Sequence, residues 1–272
     1  MEPKLQRRIQ RYGWDKAAGY YERFWMQQLA PAQQRMLSLA GLSPGEKVLD
    51  VACGTGLVAL PAAAAVHPGG ELAGTDISQN MVEAARAKAG EEGVGNARFL
   101  RMDAERLEFH NECFDVALCA LGLMYFPNPV DSLREMYRVL KPGGRASAVV
   151  WGERSRCGWA AIFPIVDARV ESEVCPMFFQ LGTGANLEHA FSAAGFRGVR
   201  TECLRVPLRY DSAEEACGAA FEGGPVALAY SRFDAQTRTE AHAEYLASIE
   251  GFRNCSGYNI PGEFVAAVGY KQ

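Results

Sequence analysis

Short apolar runs alternate along the chain with stretches of helical periodicity. Val48-Leu49-Asp50-Val51-Ala52 is nearly continuously apolar, as a parallel strand buried on both faces would be. Glu71 to Ile77, Ala97 to Met102, Phe114 to Leu121 and Arg145 to Trp151 repeat that pattern. Before the fifth run, Val130, Leu133, Met136, Tyr137 and Leu140 recur at helical spacing, and Lys141-Pro142-Gly143-Gly144 reads as a type II turn. Strands alternating with helices predict an α/β, doubly wound, seven-stranded, mostly parallel sheet. Gly198 to Tyr210 supplies the sixth strand and Glu263 to Tyr270 the seventh, while Asn186 to Phe196 reads as a helix closed by Gly195.

The same pattern divides the chain. Residues 1–40 read as an N-terminal helical lid, with Trp14, Tyr20, Tyr21, Phe24 and Trp25 crowded onto about three turns. Residues 41–152 are the ligand-binding core and 153–182 a cap segment. Residues 183–210 give a core helix and strand six, 211–258 a helical cap insertion, and 259–272 the final strand. A short hairpin would join the last two strands, so the residues between them, Ala213 to Arg253 above all, are surplus to the sheet and read as two or three helices over an acceptor pocket.

Asp50 is the anomaly in the first strand. Burying a polar group there costs roughly 2 to 7 kcal/mol unless something satisfies it, so Asp50 implies a partner. Gly54 and Gly56 follow, and their missing Cβ atoms let backbone N–H groups approach a ligand where the next helix begins. Gly54-x-Gly56-x-x-Ala59 fits the G-x-G-x-x-G/A pattern, and Asp76 stands 20 residues after Gly56, where an acid would bond ribose hydroxyls. These features point to an adenosine-type ligand and leave a dinucleotide and S-adenosylmethionine both open.

The segments VLDVACGTG, GTDIS, RMDAE, FDVALC and EMYRVLKPGG, in that order over about residues 40 to 152, resemble the class I S-adenosylmethionine-dependent methyltransferases, the ubiquinone/menaquinone C-methyltransferase-like group. The resemblance implies S-adenosyl-L-methionine as cofactor. It sets Asp50, Ala52 and the Gly54-Thr55-Gly56 backbone toward the methionine part and Asp76 on the ribose. It sets Ile77 and Met81 beside the adenine, Asp103 and Ala104 at its amino edge, and Cys119 and Ala120 along the methionine and methyl. Asp103 could equally cap the following turn, and Ser78 reads as the N-cap of the next helix. Ala17-Ala18-Gly19-Tyr20-Tyr21-Glu22 is similar to the family's lid pattern, with Tyr21 its best match; an aromatic stripe docking the helix is the alternative.

Composition narrows the partners. At −4 net charge and pI about 5.7, the chain carries no electrostatic footprint for nucleic acid. Leu57 to Val66, the longest apolar stretch, is too short to span a bilayer. The first sixteen residues lack the apolar core of a secretory signal, so a cytoplasmic address is expected. The eight cysteines show no C-x-x-C or His/Cys ligand spacing, and no metal is expected. Cys53, Cys119 and Cys203 read as buried strand residues; Cys157, Cys175, Cys217 and Cys255 lie outside the sheet.

Methyl transfer asks a protein to hold a donor, exclude water and present a nucleophile. Tyr125, after strand four, and His242, in the cap, are with Tyr21 the candidate catalytic groups; His67, His110 and His189 read as surface or packing residues. Phe163, Phe178, Phe179, Phe221, Tyr230 and Phe233 give the cap an apolar character that suits a small, partly hydrophobic acceptor. The oligomeric state has no signature. Two other functions share the glycine loop: an NAD-dependent oxidoreductase, which Asp50 and the L-K-P-G-G turn oppose, and a noncatalytic S-adenosylmethionine-binding interaction protein.

Overall fold

A computed structural model of the chain describes residues 2–170 and 177–272. Its sheet contains β1 (Lys47–Val51), β2 (Glu71–Asp76), β3 (Ala97–Arg101), β4 (Phe114–Ala120), β5 (Leu140–Trp151), β6 (Arg197–Tyr210) and β7 (Tyr258–Tyr270). They lie in the order β3-β2-β1-β4-β5-β7-β6. The first five strands pair in parallel and β7 runs antiparallel to both β5 and β6, so the expected α/β, mostly parallel, seven-stranded sheet is present. Strand β1 pairs with β2 on one side and β4 on the other, which makes its carboxyl end the switch point where crevices open in such sheets.

Two boundaries differ from the sequence reading. The Lys141-Pro142-Gly143-Gly144 turn is absorbed into β5, because the sheet register jumps from Phe114 opposite Leu140 to Val116 opposite Arg145 and takes up the extra residues. Gly143 N–H donates to the Lys271 carbonyl at 2.9 Å and Lys271 N–H to the Gly144 carbonyl at 2.8 Å, stitching this bulge to the chain's last strand. Strand β7 starts at Tyr258, five residues before Glu263, since β6 is long enough to pair with it as far as Tyr210 opposite Tyr258.

Helix α1 (Pro3–Ala40) starts with Pro at its first turn and stops at Gly41, whose φ of 58° supplies the left-handed cap. Gly13, Ala17, Phe24, Ala32, Met36 and Ala40 recur at steps of four, seven and eight residues and face inward, so α1 packs across β4, β5, β6 and β7. Burying Phe24 and Trp25 on that stripe contributes about 1.5 to 3 kcal/mol each. Helices α2 (Ala59–Val66) and α3 (Gln79–Glu91) follow β1 and β2; α4 (Pro129–Val139) packs on β5 and on the later helix α6 (Asn186–Ala193). Beyond the sheet lie α5 (Ile162–Asp167) and then α7 (Ala213–Phe221), α8 (Ala227–Tyr230) and α9 (Ala235–Ile249), with α1 touching α7 and α8.

Among the described cysteines all are unpaired, and Cys53, Cys119, Cys157 and Cys217 are buried. Cys203 corrects the sequence reading: it is exposed, because β6 is an edge strand with one face uncovered. Cys175 lies outside the described residues. Among the described residues no helix is long and apolar enough to cross a membrane, and no three His, Cys, Asp or Glu side chains group as metal ligands would.

Candidate functional site

At the carboxyl ends of β1, β2, β3 and β4, beneath α1, lies a cleft of about 730 Å³, its mouth included. The β1 loop contributes Ala52 and Gly54, β2 contributes Thr75 and Asp76, and α3 contributes Met81. Met102, Asp103 and Ala104 close one side and Ala120, Leu121, Gly122 and Tyr125 the other. The roof is one stripe of α1, in which Arg7, Gln10, Trp14 and Tyr21 recur at helical spacing.

That roof is clasped. Arg7 pairs with Glu105, and its Nε stands 3.0 Å from Asp103. Asp15 accepts from the Ser78 hydroxyl at 2.6 Å and lies at the N-terminus of α3, where a negative charge is favoured. Lys88 meets Glu22 at 3.0 Å. Ser78 caps α3 through its hydroxyl and Met81 N–H, as the sequence predicted.

The floor is strained where it meets the cleft. Ala52 and Leu121 both have positive φ, 57° and 58°, a region that non-glycine residues adopt rarely and at a cost of order 1 to 3 kcal/mol. Between them Gly54, at φ 53°, turns its N–H onto the Asp76 carboxylate at 2.9 Å. Asp76 also accepts from Ser78 N–H at 2.9 Å. One carboxylate therefore ties the glycine loop to the start of α3.

Asp50 contrasts with it. It is 1% exposed, and neither of its oxygens has a hydrogen-bond partner; the buried Thr55 hydroxyl lacks one too. Burial, then the nearby Asp76, pushes the Asp50 carboxyl well above its usual value. Burial likewise raises Asp76 to about 6, against the pull of its backbone N–H donors. Tyr21, pushed up by burial and by Asp76, Glu22 and Asp50, stays a protonated phenol and can donate but not act as a base. Among the described residues no cationic side chain stands between the two carboxyl groups, which leaves a site prepared for a positively charged ligand.

The cleft brings together many of the residues singled out in the sequence: Tyr21, Ala52, Gly54, Asp76, Ile77, Met81, Asp103, Ala104, Ala120 and Tyr125. Asp50, Thr55, Gly56 and Cys119 are not among its walls; a Cβ at Gly56 would meet Leu60 and Ala85, and Cys119 is fully buried. Asp103 also caps its own turn, accepting from Glu105 N–H at 3.0 Å. His242 is elsewhere. It faces a separate surface hollow with Glu222 and Arg23, bonds the Tyr230 hydroxyl at 2.9 Å, and burial lowers its basicity. His67, His110 and His189 are exposed. Arg7 and Gln10 went unnoticed in the sequence, and Trp14 was read only as part of the lid's aromatic cluster, although the three lie at three-, four- and seven-residue steps along the stripe that carries Tyr21.

Comparison with known proteins assigns this architecture. Residues 48–144 match the family described as "Methyltransferase domain". This segment is a class I methyltransferase domain. The chain is 39% identical over 132 residues to a ubiquinone/menaquinone biosynthesis C-methyltransferase, UbiE, of Ectopseudomonas mendocina, covering 48% of this chain and 49% of that one. It is 41% identical over 120 residues to a demethylmenaquinone methyltransferase of Lactococcus lactis, covering 44% and 46%. The chain thus spans about half the length of the curated relatives it matches. The YcgJ protein of Bacillus subtilis superposes with a TM-score of 0.65 at 22% identity, over 89% of this chain and 99% of that one. A Haemonchus contortus phosphoethanolamine N-methyltransferase does so at 0.62 and 17%, over 95% and 58%. At such identities the likeness is one of fold, and it extends well beyond the methyltransferase domain.

Proposed function

We propose that the chain is an S-adenosylmethionine-dependent methyltransferase whose acceptor is a small, partly hydrophobic, quinone-like molecule. The observation that carries this reading is Asp50: a buried carboxylate with both oxygens unpartnered, next to Asp76 and a strained glycine loop, in a domain of this family. A cationic donor fits that arrangement, since it brings the positive charge that the two carboxylates lack. The NAD-dependent alternative fits less well, because a pyrophosphate would set negative charge against Asp50 and Asp76.

When bound, the donor supplies an electrophilic methyl group on a sulfonium. The residues then divide the remaining work. Asp50 and Asp76 hold positive charge near the β1 loop, and the spare lone pairs of Asp76 suit a ribose diol. Ile77 and Met81 flank a planar base, and Asp103 with Ala104 meets its polar edge. The Ala120 and Leu121 backbone lines the reacting side, and Tyr21 and Tyr125 orient an acceptor while α1 excludes water. Protein-side acid–base chemistry is modest, as Tyr21 is held protonated and His242 stands apart. Unpaired cysteines throughout the described residues support a reducing compartment, the cytoplasm, as the place of action.

Labelled methyl transfer from S-adenosylmethionine into a metabolite extract, with mass identification of the product, tests the proposal. A labelled small molecule is expected. Donor binding without any labelled product would favour a binding protein, and tight NADH binding with no S-adenosylmethionine binding would end the reading.

A further inference from the structure

All four tryptophans of the chain, Trp14, Trp25, Trp151 and Trp159, line one cavity, although they come from α1, the end of β5 and the segment before α5. Trp25, Trp151 and Trp159 stand with ring centroids 4.8 to 5.8 Å apart, and Trp14 stands 5.1 Å from Tyr125. The cavity shares Trp14, Tyr21, Leu121 and Tyr125 with the larger cleft. It therefore adjoins the reacting side assigned above. It is tight, with about 30 Å³ free to the centre of a water molecule, enough for a water or two. Its outer wall is Gly223-Gly224-Pro225, between α7 and α8, where a Cβ on Gly223 would come within 3.1 Å of the Trp25 ring.

One polar atom in this box is unexplained. Trp25 donates its indole N–H to the Ala219 carbonyl at 3.1 Å. Trp159 is 2% exposed, and its Nε1–H has no acceptor. An aromatic box alone would also suit an alkylammonium ion. An orphaned N–H decides against that guest, since an ammonium has no lone pair to receive it. A neutral oxygen on an aromatic ring meets both demands.

We infer that the tryptophan box is the acceptor subsite, that it takes a flat ring against its indoles, and that the Trp159 Nε1–H selects rings bearing a hydrogen-bond-accepting oxygen. The inference rests on the methyltransferase reading for its place in the reaction. It goes beyond that reading in naming the residue that specifies the acceptor. The Gly223-Gly224-Pro225 wall is the part that yields when a ring enters, because the opposite walls belong to the sheet and to the long packed helix.

Indole ¹⁵N–¹H spectra of the full chain test this directly, since every indole signal comes from the box and Trp159→Phe identifies one of them. The probes are 2-methoxynaphthalene, its oxygen-free analogue 2-ethylnaphthalene, and tetramethylammonium. The methoxy probe is expected to shift the Trp159 signal and to bind at least fivefold tighter than the ethyl probe. Trp159→Phe is expected to erase that preference with S-adenosylmethionine affinity unchanged. Equal affinities in the parent chain, a preference that survives Trp159→Phe, or indole shifts from tetramethylammonium alone would overturn the inference. Calorimetry with S-adenosylmethionine on the same samples separates the two claims. Donor binding with motionless indole signals sinks the box alone, whereas probe binding without donor binding sinks the methyltransferase reading.

Discussion

Ser147 and Asp50 are both buried polar residues in neighbouring parts of one sheet, and they are treated in opposite ways. Ser147, on β5, is fully buried and its hydroxyl lies 3.1 Å from the Met36 carbonyl and 2.9 Å from that of Ala267, so it fastens α1 and β7 to the strand between them. Nearby Lys271 Nζ donates to the Leu140 carbonyl at 2.7 Å and lies over the Tyr137 ring. Asp50, on β1, has no partner for either oxygen. Positive φ at Ala52 and Leu121 and the neighbouring Asp76 carboxyl accumulate around it, and nothing comparable surrounds Ser147. Satisfied buried polar groups hold a fold together; unsatisfied ones beside backbone strain indicate where a ligand completes it.

The largest effect that can break this contrast is at the loop. Gly54→Val places a β-branched side chain at φ 53°, adding strain of about 1 to 3 kcal/mol and blocking close backbone approach. Calorimetry is expected to find S-adenosylmethionine binding abolished while circular dichroism still reports a folded sheet. Normal affinity would remove the loop from the donor site.

A smaller effect concerns pH. The folded apo protein keeps a proton on Asp76 up to about pH 6, whereas the unfolded chain loses it near 3.8. Its contribution to stability is therefore full below the unfolded value and is lost as pH rises toward 6. A cationic ligand favours the carboxylate and must displace this proton below pH 6. Donor affinity should fall by up to ~10-fold per unit as pH drops below that point. Titrations from pH 5 to 8 that find tighter binding in acid would contradict the assignment.

Ser147→Ala should act on the other side of the contrast. It is expected to lower unfolding free energy by about 1 kcal/mol in denaturant melts, with donor affinity unchanged. An affinity loss without a stability loss would show that buried polar satisfaction does not separate structure from site. His242→Phe is the smallest change, with methyl transfer expected within twofold of the parent chain. A large rate loss would bring the remote cap hollow into the chemistry.

Much of this was legible in the residues. Continuous apolar runs gave the strands, since parallel strands are buried on both faces, and Asp50 stood out because such a run has no place for an unpaired charge. The glycine spacing and Asp76 located the cleft. Other features depend on tertiary context. Cys203 looks like any strand cysteine until β6 turns out to be an edge, and the Pro142-Gly143-Gly144 turn signal was overridden by stitching to Lys271. Convergence of four tryptophans from two distant stretches of the chain, and the positive φ of Ala52 and Leu121, leave no periodic trace at all.

Asp50→Asn tests the central claim most directly, because Asn keeps the shape of Asp and removes its charge. Calorimetry with S-adenosylmethionine and thermal melts of the apo protein are read together. The expected result is a loss of about 1.5 to 3 kcal/mol in donor binding, roughly tenfold to 150-fold, the range for hydrogen bonds to a charged group. The apo Tm should match or exceed that of the parent chain, with the gap widening as pH rises, since the raised Asp50 carboxyl loses its stabilising proton in that direction. Unchanged donor affinity in a folded Asp50→Asn protein would contradict the account.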